Sequence, residues 1–422
     1  MQTFSQHLTK YLTQADIDAL LNALDDHPMD ALYLNEAKMD KATFLSLFPL
    51  VKPHPIVKEG FLYDKSIYPL GKSYLFDAGV YYLQEPSAMI VASLLDYTPY
   101  DRVLDLCAAP GGKTTQASLK LGEKGIVFAN DLAYPRAKIL SSNVERMGLV
   151  NVVVTSQDYQ TIAPRFCNYF DKIILDAPCS GSGMFRKLDT MKEDWSYNKV
   201  LKCAETQKAL IHLAYSMLAP GGKMVYSTCS YSYEENEEVI FDLLNDTDAT
   251  VLPIEDHPMY YHHVSLKEAI HLFSHLFPGE GHFICFLQKP GNPKIKDPRP
   301  LPELHLDPFI YFGHLRKKDD IIEALPEMID TQGLTVLRYG VNLGELSHGR
   351  YEPSHHASHV IKTERVIALS EDEKKRYLHG ETLQINPVLS GYYLVAYQGI
   401  PLGWGKAVQG VLKNHYPKGL RH

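Results

Sequence analysis

From Arg102 onward, apolar positions fall into a regular pattern. The runs "RVLDLC", "GIVFAND", "NVVVTS", "YFDKIILDA", "GGKMVYSTCS" and "GHFICFLQKP" are short and nearly continuous in apolar residues, as expected of strands buried on both faces. Between the first five lie "KTTQASLKLG", "YPRAKILSSNVERMG" and "CAETQKALIHLAYSMLAP", whose spacing is helical. This alternation predicts an α/β fold with a parallel, doubly wound sheet, in which ligands bind at the carboxyl ends of the strands. Upstream, "YYLQEPSAMIVASLLDYTP" reads as a strand and then a helix with Ser87 as N-cap. The first 26 residues read as an amphipathic helix, and the rest of the first ~70 mix short helical patterns with proline-bearing turns. Proline and lysine accumulate in "KPGNPKIKDPRPLPE", marking a linker, and residues 300–365 read as loop-rich. "GYYLVAYQGIPLGWGKAV" alternates apolar residues with glycine turns, a small β module. The predicted divisions are residues 1–72, 73–290, a connecting region 291–369, and 370–422. No internal repeat is visible.

Composition narrows the class only a little. A chain of 422 residues, 45% hydrophobic and 22% charged, is an ordinary globular protein long enough for two to four domains. No apolar run approaches the ~18 residues of a membrane helix, and the N-terminus lacks the basic start and apolar stretch of a signal peptide. Six scattered cysteines, without a CxxC pair, fit reduced thiols in a cytoplasm better than a disulfide framework or a zinc site. His271 and His275 stand four apart in a histidine-rich run, but no glutamate base or cysteine partner accompanies them, so no metal is expected. A net charge of −8 argues mildly against non-specific binding of nucleic acid. The stretch from Trp404 onward is different: it carries Lys406, Lys413, Lys418 and Arg421 and no acid, so it suits phosphates as well as solvent.

The chemistry concentrates at the predicted strand ends. The loop "DLCAAPGGKTTQ" offers Cys107, Ala108, Ala109, Pro110, Gly111, Gly112 and Lys113, small residues that let backbone amides approach a ligand before a helix N-terminus. A nucleotide triphosphatase loop would need glycine at Cys107, and Pro110 removes an amide from the cradle. Asp131, Asp158 and Asp176 end successive strands; three acids along one sheet edge suit a nucleoside with a charged tail, as in S-adenosylmethionine. Two thiols follow the fourth and fifth strands, Cys179 in "DAPCSGSG" and Cys229 in "YSTCSYS". Taken singly, each reads as a small apolar core residue. The acidic "EENEE" after Cys229 reads as the exposed start of a helix.

With "CAAPGGKTTQ", "DAPCSGSGMFRK" and "STCSYSYEENEEVI" in this order, the chain resembles the Nop/Sun family of RNA cytosine-5 methyltransferases, and within it the bacterial small-subunit rRNA (RsmF) type. The similarity runs from about Ala31 to residue 290 and continues into "LKNHYPKGLR"; Tyr33 stands where the family often has Arg. The resemblance implies a Rossmann-like class I methyltransferase domain, a small N-terminal α+β RNA-binding-like domain and a C-terminal PUA-like module. It implies S-adenosylmethionine as cofactor and RNA, 16S rRNA or the small subunit, as partner. By the same analogy Cys229 attacks carbon 6 of cytosine and Cys179 resolves the adduct. Asp176 hydrogen-bonds the base, Lys113 neutralises a nearby carboxylate or places the base, and Arg136 lies near the cofactor. A non-catalytic RNA-binding assembly factor on the same scaffold is the alternative.

Overall fold

The computed structural model describes residues 4–10, 12–27, 29–186, 192–293, 300–306 and 308–421. Five strands form the parallel centre of the main sheet: β1 (Arg102–Asp105), β2 (Ile126–Asn130), β3 (Val152–Thr155), β4 (Phe170–Asp176) and β5 (Leu218–Thr228). Their order is β5-β4-β1-β2-β3, so the strand order switches direction between β1 and β4, and the carboxyl ends at that switch point are where such sheets bind ligands. Each predicted strand is present. Helices α1 (Pro86–Ser93), α2 (Gly112–Leu121), α3 (Tyr134–Met147), α4 (Tyr197–Met217) and α5 (Glu237–Asp246) cover the two faces. Both faces are therefore apolar, with Leu104, Phe128, Ile173 and Tyr226 in one buried layer and Val103, Val127, Ile174 and Val225 in the other. Beyond β5 the sheet continues antiparallel through β6 (Leu266–Leu272) and β7 (His282–Gln288), with β7 against β5.

Several local readings differ from the structure. Glu85, not Ser87, caps α1: its carboxylate accepts from the amides of Ser87 and Ala88 at 3.0 and 2.7 Å, with Pro86 in the first helical turn. The N-terminal segment is two helices, Phe4–Leu8 and Gln14–Ala23, the second capped by Thr13. The N-terminal four-stranded sheet takes in Tyr81–Leu83, which pairs with Asp30–Leu34, so it reaches past residue 72. Tyr33 is buried within that sheet.

The region 291–369 is not merely a connection. Glu303–Leu306 pairs with Phe309–Phe312, and an antiparallel sheet is built from His314–Lys318, Ile321–Leu325, Val341–Ser347 and Arg350–Pro353. A further strand of this region, β8 (Val336–Tyr339), adds antiparallel to β3 and becomes the edge strand of the main sheet. Leu325, Ile329 and Tyr339 join the main core. The final module is a five-stranded sheet beginning at Val366–Ala368, which runs parallel to Gly391–Tyr397.

Candidate active site

The two cysteines meet at the crevice. Sγ of Cys179 lies 2.9 Å from Sγ of Cys229, and both are free thiols, half-buried. β4 and β5 run parallel, with Asp176 beside Ser227, so each strand delivers its cysteine to the same end of the sheet. Two crossed backbone contacts lock the loops. The amide of Gly183 donates to the carbonyl of Cys229 at 2.8 Å, and the amide of Gly281 to the carbonyl of Gly183 at 2.9 Å. A Cβ on Gly183 would sit 2.4 Å from the carbonyl oxygen of Gly281 and 2.9 Å from that of Cys229, so only glycine fits.

The acid run after Cys229 corrects the sequence reading: Glu234, Glu235 and Glu237 are buried. Glu235 ties the two thiol loops together. It accepts from the amide of Ser180 at 2.7 Å, from the Ser180 and Ser230 hydroxyls, and from Gln207 Nε2 at 3.1 Å. Burial raises its pKa, and those donors oppose the rise. Glu234 takes His7 from the first N-terminal helix and Lys10 from the turn after it, and Glu237 takes His271 at 2.7 Å. That last contact gives His271 of the histidine-rich run a buried carboxylate partner. Each carboxylate has at least one partner from a distant segment, which is why an acid run that reads as solvated is not. Cys179 is held as the protonated thiol, first by its hydrogen bond to Cys229, then by burial and by the charges of Glu235 and Asp176.

Asp176 ends β4 beside the thiols. Its Oδ2 accepts from Lys113 Nζ at 2.7 Å and its Oδ1 from the Ser227 hydroxyl at 2.6 Å. Burial opposes its ionisation, but the Lys113 ammonium and His282 outweigh burial and hold its pKa well below the usual carboxylate range. For Lys113 the balance is the same: burial lowers its pKa, and Asp176 raises it further.

The small-residue loop between β1 and α2 is fixed on both sides. The amide of Ala108 donates to the carbonyl of Asn130; Arg136 and Asn143 of α3 donate to the carbonyls of Ala109 and Pro110 at 2.8 and 2.9 Å. Gly111 has φ of 112°, and a Cβ on Gly112 would meet Gln84 at 2.9 Å. Cys107 lies against Tyr159, Sγ to hydroxyl 3.5 Å, and burial pushes its pKa up to about 12. Asp131 is buried, anchored by the amides of Ala133 and Ala109 at 3.0 and 3.3 Å and faced by Arg136 at 3.4 Å. Asp158 is exposed and caps the short helix Tyr159–Ile162 through the amide of Gln160.

Asp105, absent from the sequence reading, is fully buried under this loop. Thr114 donates to its Oδ2 at 2.6 Å, while Oδ1 has no hydrogen-bond partner among the described residues. Burial raises its pKa to about 7. The constricted backbone, the buried Asp131 and the orphaned Asp105 oxygen together fit a small nucleoside cofactor better than a polyphosphate.

Known proteins match along nearly the whole length. Residues 92–288 match the family described as 16S rRNA methyltransferase RsmB/F. Residues 1–86, 303–359 and 364–422 match the RsmF N-terminal domain, first C-terminal domain and PUA domain. "Ribosomal RNA small subunit methyltransferase F" of Klebsiella pneumoniae is 32% identical over 431 residues, 92% of this chain and 90% of that protein. This chain belongs to the RsmB/F family of 16S rRNA methyltransferases. The RsmF protein of Vibrio parahaemolyticus is also 32% identical, with 88% of this chain and 86% of the relative covered. Among solved structures, a methyltransferase homologue from Pyrococcus horikoshii has TM-score 0.61 at 28% identity, over 68% of this chain and 94% of that one. NSun6 from the same organism, solved with SFG, shares the fold, with TM-score 0.62 at 19% identity over 69% and 99%. The RsmB/F fold thus accounts for the Rossmann-like domain, its S-adenosylmethionine dependence and the flanking modules. Among the described residues no helix is long and apolar enough to cross a membrane.

Proposed function

We propose that this chain methylates carbon 5 of a cytosine in small-subunit rRNA in the cytoplasm, with Cys229 as nucleophile and Cys179 as resolving residue. The observation that carries the reading is the 2.9 Å approach of the two thiols beside the Lys113–Asp176 pair. Carbon 5 of cytosine is a poor nucleophile until a thiolate adds to carbon 6. A Cys179 thiol held protonated donates to the other sulfur, which leaves Cys229 as the attacking group. Once Cys229 is bonded to carbon, its sulfur no longer holds the Cys179 proton in the hydrogen bond that most raises the Cys179 pKa. Cys179 is then placed to assist loss of the carbon 5 proton, after which the Cys229–carbon 6 bond breaks.

S-adenosylmethionine, when bound, supplies the electrophilic methyl group. Residues 107–113 hold it in this reading, with Asp131 on the ribose, Arg136 supporting the loop, and Asp158 at the adenine end. Asp176 is ionised and therefore accepts from the cytosine amino group; a contact with ring N3 needs a proton there. A stacked target has to be flipped out to reach both sulfur and methyl donor.

The test is adduct trapping with small-subunit rRNA and cofactor. Cys229→Ala is expected to abolish methylation and leave no adduct. Cys179→Ala is expected to accumulate a protein–RNA complex that survives denaturing electrophoresis, and the double variant to lose it. A trapped adduct in Cys229→Ala would reverse the roles. Full methylation in both single variants would return the thiols to the core, and a wild-type protein that binds rRNA without methylating it would favour the assembly-factor alternative.

A further inference from the structure

His282, the first residue of β7, lies in the predicted strand run "GHFICFLQKP" and at the end of the histidine-rich run, outside the cysteine and small-residue motifs, yet it sits at the base of the site and is 4% exposed. Phe283 pairs with Thr228 across β5 and β7, so the register continued by one residue sets His282 opposite Cys229. Alternation then puts Ser227, Cys229 and His282 on one face of the sheet. Nε2 of His282 lies 3.7 Å from Oδ1 of Asp176, within ion-pair range but longer than a hydrogen bond. Nδ1 lies 2.9 Å from the hydroxyl of Ser87.

Proton accounting orients the ring. Ser87 has one hydroxyl proton, and its oxygen is also in hydrogen-bond contact with the Glu85 carboxylate. Glu85 already accepts from the amides of Ser87, Ala88 and Glu280, the last at 2.6 Å, so its carboxylate is also the acceptor of the hydrogen bond that the Ser87 hydroxyl donates. Ser87 is left as an acceptor, and Nδ1–H of His282 donates to it. Nε2 therefore faces Asp176. A bare lone pair there opposes the carboxylate; an N–H makes an ion pair with it. The other charged or titratable groups around the ring are Lys113 on α2, Glu280 in the preceding loop with Arg186 3.5 Å from it, and Cys229 across the strands.

We propose that His282 is a positioning residue for methyl transfer: oriented by Ser87 and Glu85, it takes a proton on Nε2 and, with Lys113, clamps Asp176 in place against the target base. This rests on the cytosine-5 reading above. The ladder starts at the cap of α1 and ends at the carboxylate beside the thiols, so it joins the helix end to the reacting centre.

The test is the pH dependence of kcat on small-subunit rRNA for the wild type, His282→Gln and Ser87→Ala, each checked for folding by thermal melting. The wild type is expected to lose activity on the alkaline side of its optimum. His282→Gln is expected to lack that alkaline arm and to lose about tenfold in kcat at the optimum, with KM for S-adenosylmethionine within about twofold. Ser87→Ala keeps the imidazole but removes its orienting acceptor, and is expected to shift the arm. It serves as the second arm of the test if the glutamine variant does not fold. Unchanged profiles and kcat in a methylating, folded variant would overturn the role of His282 while leaving the cytosine-5 reading intact. Absence of cytosine methylation in the wild type would overturn both.

Discussion

Glu235 carries more of the site's geometry than its place in an acidic run suggests. Its carboxylate holds the residue after each cysteine, Ser180 and Ser230, and so fixes the sulfur-to-sulfur separation. Glu235→Gln keeps the shape but turns one acceptor oxygen into a donor group facing other donors. Leaving buried groups of this kind unpaired costs about 1–3 kcal/mol. A lowered melting temperature and a changed rate of iodoacetamide modification at Cys229 are expected, with methylation falling alongside. Unaltered thiol reactivity would mean that backbone contacts alone set the pair. Asp131 gives a second residue-scale expectation: in Asp131→Ala, isothermal titration should show clearly weaker binding of S-adenosylmethionine, and equal affinity would remove Asp131 from the cofactor site.

At the scale of elements, the site depends on three chain segments packed at backbone distance: the loop after β4, the end of β5 and the start of β7. Gly183 is the point of closest approach, with carbonyl oxygens on two sides of its missing Cβ. Gly183→Ala must separate these segments, because neither obstacle is a flexible side chain. Overpacking of this kind costs typically about 1–3 kcal/mol. A reduced denaturation midpoint and slower methylation are expected; a wild-type midpoint and rate would show that the loops shift without consequence. The N-terminal helices add support from outside, since Phe4 packs on Phe185 and Leu8 and Ile17 share a buried cluster with Tyr231.

Across the whole molecule, α3 is where the N-terminal and C-terminal parts meet. Lys38 donates to the carbonyl of Ala78 at 2.6 Å and lies 3.4 Å from His359, while Arg338 reaches Glu145 and His356. Burial lowers the pKa of His355 to about 4 and that of His54, under α1, also to about 4. Both folded-state values are below the ordinary 6.5, so the unfolded chain takes up protons first as the pH falls. Stability is therefore complete above about pH 6.5 and is lost progressively toward pH 4, by on the order of 3 kcal/mol for each group at most. The urea midpoint is expected to drop between pH 7 and pH 5, and to drop less in His54→Gln. A midpoint constant over that range would contradict the burial argument. The C-terminal module makes a separate prediction. It docks on the N-terminal domain, Tyr397 against Tyr74, and exposes Lys413 and Lys418. Removing residues 364–422 should weaken rRNA binding and flatten its salt dependence, since fewer phosphates are neutralised. Equal affinity at every salt concentration would make the module purely structural.

Periodicity alone determined the central sheet, because strands buried on both faces must be apolar throughout and the helices between them must be amphipathic. It also located the loop at 107–113, the strand-end acids and the two cysteines, since a doubly wound sheet sends all its strand ends to one edge. What it missed depends on partners far away in the chain. β8 reads as loop because a short edge strand is specified by the open side of β3, not by its own composition. Asp105 and the buried glutamates are indistinguishable from solvated acids until Thr114, Ser180, Ser230, Gln207 and His271 arrive to offer protons. His282 is one of nineteen histidines in the sequence. Only the antiparallel return of β7 beside β5 sets it next to Asp176, because long-range pairing, and not local pattern, decides which polar groups share a buried space.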